Sequence, residues 1–373
     1  MRKVLIDLLL STKKSYQIVK NIYSTNYSKN ALISMNVNNF LRKKIVHTNY
    51  LESQVIANIL KDLEYNIDVV SFDNDRDLNL EKYDLIFGFG LSLEKSFSVQ
   101  NRMKRIYYAT GAHACYQNKA EIDRVAEVNR RKNSLLQPKR LAKWMWSESV
   151  AFNDAIILIG NDWTKSTYEN YTTKDIYTIN ATSLFYETFT LQDTDVCSRK
   201  KKFLWFGSGG LVHKGLDLCL EYFKDHPDLE LHICGPQEDD FFNVYQQELH
   251  LGNVHFHGFV DVSSQRFIDI TQKCLFSIMP TCSEGQSTAL LTTMSVGLIP
   301  VASIQVGKDI SNLGFLIPEL SLQSIESVMN NINLTSDDEL YALSSKNIQE
   351  ANDSHSLDSF KNRMEQILKE VLK

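Results

Sequence analysis

The sequence lacks both a long apolar run and an excess of basic residues. Its 373 residues hold 40 Lys and Arg against 45 Asp and Glu, a net charge of −5. This balance excludes a generally basic nucleic-acid binder. The apolar run at 4–10 contains Asp7, is far shorter than the ~20 residues that cross a bilayer, and precedes no small-residue cleavage site. We therefore expect a soluble, cytoplasmic protein.

Closely spaced cysteine pairs are also absent. The six cysteines show no CxxC spacing, and several lie in apolar runs, where a free thiol behaves as a small hydrophobic side chain. This pattern predicts a reducing compartment and no zinc site. At roughly 150 residues per domain the length suggests two domains. A hydrophobic content of 43% is enough for two cores, which excludes disorder as the main state.

Short apolar runs alternate with amphipathic stretches in both halves of the chain, a pattern that predicts βαβ units and two parallel sheets. The first half predicts strands at 4–10, 31–35, 44–47, 67–72, 83–87, 105–109, 155–159 and 175–179, with helices at 16–23 and 50–63. The second half predicts strands at 203–206, 229–234, 254–257, 275–279, 299–302 and 314–317, with helices at 216–223, 241–249, 265–272 and 287–296. Three further helices are predicted after residue 320.

A polar stretch at 188–202 separates the halves and is interpreted as a linker. The predicted domains are 1–187 and 203–355, followed by a C-terminal helix at 356–373. In open α/β sheets ligands bind outside the carboxyl ends of the strands. Functional residues are therefore expected in the loops that follow strands.

The first such loop is glycine-rich. FLWFGSGGLVHKGLD (203–217) is a buried strand, then Gly207, Ser208, Gly209 and Gly210, then Lys214 at the start of a helix. Glycines allow close backbone approach to an anion, and a helix N-terminus offers free N–H groups. A phosphate site is predicted, although the spacing fits neither a P-loop nor a dinucleotide fingerprint. The alternative is a flexible turn with a solvated lysine.

The second loop is acidic. MPTCSEGQSTALLTTMSVGLIP (279–300) ends a strand, carries Glu284 and Gly285, and starts a helix near Ser287. The helix start can hold an anion or sugar hydroxyl groups, and a carboxylate there can stabilise developing positive charge. The alternative is that Glu284 only caps the helix.

These two segments, with ELHICGP (230–236) and NVHFHGFV (253–260) between them, resemble the C-terminal domain of retaining GT-B glycosyltransferases of family 4 (glycosyl transferases group 1). The resemblance covers 203–314 well and extends loosely to DAIILIGNDWTKSTYE (154–169). It implies an α/β fold of two Rossmann-like domains facing a cleft, with the C-terminal helix packed back on the N-terminal domain.

The resemblance also implies roles for individual residues. Lys214 would contact the donor diphosphate, Glu284 the donor sugar, and His113 in YYATGAHACYQN the same sugar. The backbone of Gly285, Gln286 and Ser287 would face phosphate and sugar, and Gly235 and Val260 would frame the base. On the residues alone His113 is an ordinary polar loop residue.

Two positions depart from the family pattern. Thr292 stands where the family has a second acid for the ribose, and Gly209 stands where it has an arginine for the diphosphate. A hydroxyl binds a ribose less strongly than a carboxylate, by ~1 kcal/mol. Lys165, Arg266 and Lys308 are the candidates for the missing charge.

The acceptor is expected at the loop of KIVHTNYLE (44–52), through His47, Thr48 and Asn49. The same residues are also typical of a helix cap, with Glu52 completing a capping box; both interpretations can hold together.

The segment 128–146 has six basic residues, no acidic residue, and Trp144 and Trp146 at its end. Such a stretch can lie on an anionic membrane and would suit a lipid-linked acceptor; the alternative is a solvated face.

The triplets DND (73–75) and DTD (193–195) resemble metal-binding motifs of GT-A enzymes, but that fold has one nucleotide domain, so both are interpreted as polar loops.

The sequence therefore predicts a metal-independent enzyme without a cofactor. It would transfer sugar from a nucleotide-sugar donor to a glycan or lipid-linked acceptor with anomeric retention, in surface polysaccharide synthesis by analogy. Two alternatives stay open: a nucleotide-sugar epimerase of the same architecture, and a non-catalytic pseudo-glycosyltransferase that partners an active subunit.

Overall fold

A computed structural model describes residues 18–41, 48–184 and 196–373 and contains two sheets. The first has seven strands in the order β1-β3-β2-β4-β5-β6-β7. β1 is antiparallel to β3 and the other pairs are parallel. The strands are β1 Ile18–Val19, β2 Lys29–Met35, β3 Tyr65–Ser71, β4 Leu85–Gly88, β5 Lys104–Ala109, β6 Ala155–Ile159 and β7 Ile176–Ile179.

The second sheet has six parallel strands in the order β10-β9-β8-β11-β12-β13. Its strands are β8 Lys202–Phe206, β9 Glu230–Cys234, β10 Val254–Gly258, β11 Phe276–Met279, β12 Ile299–Ser303 and β13 Phe315–Ile317. This is the Rossmann strand order, in which the direction of winding reverses between the first and fourth strands. Here that switch point lies between β8 and β11.

Helices connect the strands and cover the sheets. They are α1 Asn38–Leu41, α2 Thr48–Asp62, α3 Leu91–Ser96, α4 Ala114–Lys132, α5 Ser147–Phe152, α6 Asp162–Ser166, α7 Val196–Arg199, α8 Leu216–Lys224, α9 Asp239–Val244, α10 Gln246–Leu249, α11 Gln265–Thr271, α12 Thr288–Ser295, α13 Leu322–Leu334, α14 Asp337–Ser354 and α15 Leu357–Val371. No helix in the described part of the chain is long and apolar enough to span a membrane.

The C-terminal helix returns to the first sheet, as expected. Its apolar residues Phe360, Met364, Ile367 and Leu368 recur at helical spacing and join one buried cluster with the α2 residues Ile56, Ile59 and Leu60. At the far end Tyr177 of β7 donates a hydrogen bond to Glu370 at 3.1 Å. The predicted fold class is therefore confirmed: two parallel-sheet domains with the last helix packed on the first.

Two local predictions are wrong. A helix is expected at 16–23, but Ile18–Val19 is a strand, because these β-branched residues pair with Val69 and Val70 of β3. The helix expected at 241–249 breaks at Tyr245 (φ −105°, ψ 23°). The linker at 188–202 stays a prediction. Its described part contains the short helix α7, where Arg199 donates to the Cys274 carbonyl at 2.6 Å, and β8 begins at Lys202.

The other strand and helix predictions agree with the structure within about three residues at each end where it describes them. The strands expected at 4–10 and 44–47, and the DTD triplet, lie outside the described residues. The five described cysteines are free thiols, four of them buried.

Candidate functional site

The glycine-rich and acidic loops meet because they leave neighbouring strands at the switch point. β8 pairs with β11 in parallel, so the loops at 207–215 and 280–287 emerge at the same edge of the sheet. The Thr281 hydroxyl and the Cys282 N–H both donate to the His213 carbonyl, at 3.2 and 2.9 Å. The two sequence motifs therefore form one site.

Lys214 and Glu284 form an ion pair at the centre of this site. Lys214 Nζ donates to Glu284 Oε1, and their side chains are only 6% and 13% exposed. Burial by itself raises the pKa of Glu284, but the opposing charges of Lys214, His213 and Arg140 outweigh it and hold that pKa below its ordinary value. The carboxylate is thus ionised at neutral pH.

The glycines of the first loop make room for cationic side chains. A Cβ on Gly207 would lie 2.9 Å from Cδ of Lys214. A Cβ on Gly210, whose φ is +87°, would lie 2.3 Å from Cγ of Arg140. Neither position accepts a side chain without displacing a cation. The side chains of Lys214 and Arg140 therefore pack directly against Gly207 and Gly210.

Arg140 is the residue that sequence reasoning missed. The Gln117 side chain donates to its carbonyl and its N–H donates to Glu121, which together anchor its backbone. Its guanidinium has no ion-pair partner among the described residues. It comes from the segment after α4, far from the motif in sequence. Its only sequence signal is its place in the basic stretch.

Two of the cations that the sequence offered for the missing charge are committed elsewhere. Lys308 pairs with Glu350, and Arg266 donates to the His257 carbonyl at 3.0 Å. Gly209, at the position of the family arginine, faces Glu238, whose carboxylate accepts from the Gly210 N–H. Arg140 is the cation that the fold brings across this loop.

The acidic loop presents two backbone N–H groups. Those of Gly285 and Gln286 make no hydrogen bond to any described residue, although both residues are buried. The Ser287 N–H, by contrast, donates to the Val306 carbonyl at 2.9 Å. The expectation that all three amides face a ligand is therefore wrong for Ser287, whose side chain instead caps α12 by accepting from Leu290.

The same loop joins the two domains. The Thr164 hydroxyl donates to the Gly285 carbonyl at 2.8 Å. The Gln286 side chain accepts from the Ala181 N–H at 2.7 Å and donates to Asn180 at 3.1 Å. The Gln286 side chain thus forms hydrogen bonds between the two domains, a role that the sequence motif does not reveal.

The other residues expected to bind the donor lie on α12 and beyond the ends of β9 and β10. Thr292 is buried in α12, and its hydroxyl donates to the Thr288 carbonyl at 2.8 Å, so this oxygen can meet a ribose hydroxyl only as an acceptor while that bond is kept. The Gly235 N–H donates to the Gly258 carbonyl at 3.0 Å, and Val260 is buried close by in the chain. These two residues therefore stand at neighbouring strand ends.

His113 lies at the start of α4, where its ring accepts from the Cys115 N–H at 3.3 Å. It stacks on Tyr171 with a centroid distance of 3.8 Å and meets the edge of Tyr168. Burial lowers its pKa. Among the described contacts none joins its ring to Lys214 or Glu284, so the structure does not bring it into the ion-pair centre.

The acceptor loop is described only in part, since His47 lies outside the described residues. Thr48 is buried and Asn49 exposed at the start of α2. The expected capping box is wrong: Glu52 accepts instead from the N–H and hydroxyl of Thr182, at 2.8 and 2.9 Å. In the folded chain Glu52 is buried against the segment after β7, so it binds Thr182 and not the N–H groups at the start of its own helix.

Most charges of the basic stretch face the second domain. Arg131 binds Asp217 and Glu221, Lys132 binds Glu248, and Lys139 binds Asp240. Trp144 stacks on Trp146 at 5.4 Å and remains 42% exposed. In the first acidic triplet Asp73 accepts from the Ser71 hydroxyl at 2.5 Å.

A separate cavity lies away from the central ion pair. About 270 Å³ opens between β7 and the last two helices, lined by Gly160, Asn180, Ser354 and Arg363 among others. Lys214 and Glu284 do not line it. Among its described lining residues the one cation is Arg363, which donates to Gln366 at 3.0 Å.

Solved structures with the same architecture define the class of fold. Sucrose-phosphate synthase from Thermosynechococcus elongatus superimposes with a TM-score of 0.64 at 13% identity, over 92% of this chain and 99% of that one. HepE from Anabaena, solved with UDP and glucose, gives 0.59 at 12% identity, over 92% and 100%. WaaG, a glycosyltransferase of lipopolysaccharide biosynthesis, gives 0.55 at 12% identity, over 90% and 98%. The fold is GT-B.

The sequence itself supplies a second comparison. Residues 200–332, roughly a third of the chain, match the model of the family described as glycosyl transferases group 1. A search of curated protein sequences finds no significant match. The matched segment contains both loops of the site. The family match therefore falls on the part of the chain that holds the site, whereas the fold match covers nearly all of the chain.

Proposed function

We propose that this protein is a retaining glycosyltransferase that moves a sugar from a nucleotide-sugar donor to a glycan or lipid-linked acceptor. The observation that carries the proposal is that two cations, Lys214 and Arg140, meet at the glycine loop beside Glu284. The next two residues, Gly285 and Gln286, have N–H groups without a partner among the described residues. A diphosphate is the leaving group that such a set stabilises, because its charge grows as the glycosidic bond breaks.

Donor binding then exchanges one ion pair for another. The diphosphate takes Lys214 from Glu284, and Arg140 supplies a further positive charge. Glu284, freed of its lysine, accepts hydrogen bonds from the donor sugar. The base lies against Gly235 and Val260, and the ribose depends on Thr292 or on backbone groups. No side chain needs to act as a covalent nucleophile.

His113 is proposed to act from the edge of the site. Its lowered pKa keeps the ring neutral at pH 7, so it can accept or donate one hydrogen bond to a sugar without adding charge. Reaching the donor would require its ring to leave the stack on Tyr171.

The acceptor is proposed to enter from the first domain, past Thr48 and Asn49 and the adjacent His47. Membrane contact through 128–146 stays a prediction and rests on Arg130, Lys143 and Trp144. Of the other basic residues, Arg131, Lys132 and Lys139 form ion pairs, and Arg140 lies against the glycine loop. A role in surface polysaccharide synthesis is proposed by analogy with the family. A peripheral cytoplasmic location is proposed because of the predicted membrane contact through 128–146. No cofactor and no metal are required by this scheme.

One test measures donor binding directly. The full chain is screened by thermal shift against UDP, GDP, ADP, CMP and their sugar conjugates, with and without EDTA. A ligand bound only to the folded state stabilises it by about 2.7 kcal/mol at a hundredfold excess over its Kd. We expect one nucleotide class to raise the melting temperature, and EDTA to leave the shift unchanged.

Variants then locate the binding site. Lys214→Met and Arg140→Met should each weaken binding roughly 10- to 100-fold, since a hydrogen bond to a charged group contributes about 1.5–3 kcal/mol. Lys143→Met, an exposed cation of the same segment, is the matched control and should bind normally. Equal shifts in all variants would reject the site. No shift with any nucleotide would favour the non-catalytic alternative, and donor conversion without acceptor would favour the epimerase.

A further inference from the structure

A group of histidines lies at the edge of the second sheet, outside the loops of the donor site. β9 and β10 are parallel neighbours, and His255 pairs in register with His232. The alternation of β9 sends Leu231 and Ile233 into the apolar core, so His232 projects from the opposite face. Glu230 begins the same strand. None of these side chains has a role in the function proposed above.

His232 is buried with an unsatisfied nitrogen. The residue is 5% exposed, and its Nε2 makes no hydrogen bond to any described residue. Glu230 Oε2 lies 3.6 Å away, beyond a normal hydrogen bond. The other ring nitrogen, Nδ1, lies 3.0 Å from Nε2 of His257, so these two rings share a proton. When His232 holds that proton, its Nε2 lone pair points toward the carboxylate.

We propose that Glu230, His232 and His255 bind a divalent transition-metal ion, with zinc as the reference ion. Glu230 Oε2 is 3.6 Å from His232 Nε2 and 3.8 Å from His255 Nε2, and all three ligand atoms lie within 4.8 Å of one another. Tetrahedral zinc with bonds of about 2.0–2.2 Å places its ligand atoms roughly 3.3–3.6 Å apart. Small side-chain rotations therefore close the site.

The second ring nitrogen of His232 has an outer partner, since Nδ1 lies 3.0 Å from Nε2 of His257. Neutral imidazole is the form that ligates metal. When Nδ1 of His232 donates to His257, this outer contact fixes the tautomer that leaves Nε2 as the ligand atom.

Nearby cations set a limit on affinity. Lys202 Nζ lies 3.8 Å from Glu230 Oε1, and Lys273 and Arg266 also act on the histidine pair. The side chains of His255 and Glu230 are 39% and 38% exposed, which leaves a fourth position open to water. The site should be weaker than a structural zinc site with four protein ligands. It departs from the sequence prediction of no metal.

Zinc titration of the full chain tests this proposal, by calorimetry at pH 7 with zinc chloride. We expect one saturable site, a rise in melting temperature, and its reversal by EDTA. His255→Ala and Glu230→Gln alter half-exposed side chains, so both should fold, and each should weaken zinc binding at least tenfold. His257→Ala should weaken it about 10- to 100-fold.

The matched control is His226→Ala, which removes another histidine of the same domain that faces a glutamate, with Nε2 3.3 Å from Glu326. It should bind zinc like the parent protein. The proposal is overturned if the parent protein shows no saturable zinc binding, or if His255→Ala and Glu230→Gln bind zinc as the control does. Melting temperatures without zinc show that each variant is folded.

Discussion

Asp217 offers the sharpest test of how the two domains are held together. It lies on α8 of the second domain, is fully buried, and accepts from Arg124 at 2.6 Å and from Arg131 at 2.8 Å, both on α4 of the first domain. Asp217→Asn keeps the shape of the side chain and removes its charge. Among the described residues Arg124, itself 5% exposed, would then keep only Glu127 as an ionic partner.

The cost follows from burial. Removing one partner of a buried ion pair destabilises by about 3–5 kcal/mol, because the other charge is left uncompensated. Arg131 is 25% exposed and retains Glu221 at 3.1 Å, so the loss concentrates at Arg124 and the lower value applies. At roughly 2–4 °C per kcal/mol for a large domain, a loss of about 3 kcal/mol lowers Tm by roughly 6–12 °C.

Thermal unfolding of the parent protein and two variants measures this effect. Asp123→Asn is the control: it removes a pair with Lys119 on the same helix, but the side chains are 59% and 78% exposed, and such pairs contribute about 0.3–0.5 kcal/mol. The reasoning is refuted if Asp217→Asn lowers Tm no more than Asp123→Asn does.

Two further predictions concern Glu52 and Gly285. Burial raises the pKa of Glu52 in the folded protein. Ionisation of Glu52 therefore lowers the free energy of unfolding as the pH rises above about 4.3, the pKa of a glutamate in the unfolded chain. Glu52→Gln should be more stable than the parent protein at pH 7 and lose this advantage at pH 4. A Tm difference that is constant with pH would contradict this. In Gly285→Ala the Cβ would lie 2.6 Å from the Thr110 carbonyl oxygen, so the free energy of unfolding should fall by about 1–3 kcal/mol. The control is Gly252→Ala, whose Cβ would meet nothing within 4 Å and which should be neutral or stabilising. Equal Tm values for the two variants would argue against a tight contact between the domains.

Individual strands of the two sheets were predicted correctly where a continuous apolar run marked them in the sequence. The run AIILI at 155–159 became β6 without a shift, because every residue is apolar and the strand is buried on both faces. The prediction failed where a distant partner decided the outcome. Ile18 and Val19 form an edge strand only because Val69 and Val70 are there to pair with them, and no local period encodes that partner.

The candidate site divides in the same way. Lys214, Glu284 and the glycines stand in two continuous motifs, so their residue types and their order along the chain are enough to indicate an anion site. Arg140 does not stand out, and Gln286 is indicated only through its backbone, because the role of each side chain depends on a segment more than 30 residues away. Ser287 shows the reverse case: its motif is visible, but a carbonyl from Val306 occupies its amide.

The sequence by itself determined the order of the chemical groups along the chain: a glycine loop, a lysine, and an acid before a helix, each tied to the end of an apolar run. Only the tertiary structure decided that Lys214 pairs with Glu284, that Arg140 crosses the glycine loop, and that His113 turns to Tyr171. The physical reason is range. Hydrophobic period and backbone conformation act between neighbours in the chain, whereas charge pairing and close packing act between neighbours in space, which only the folded chain defines.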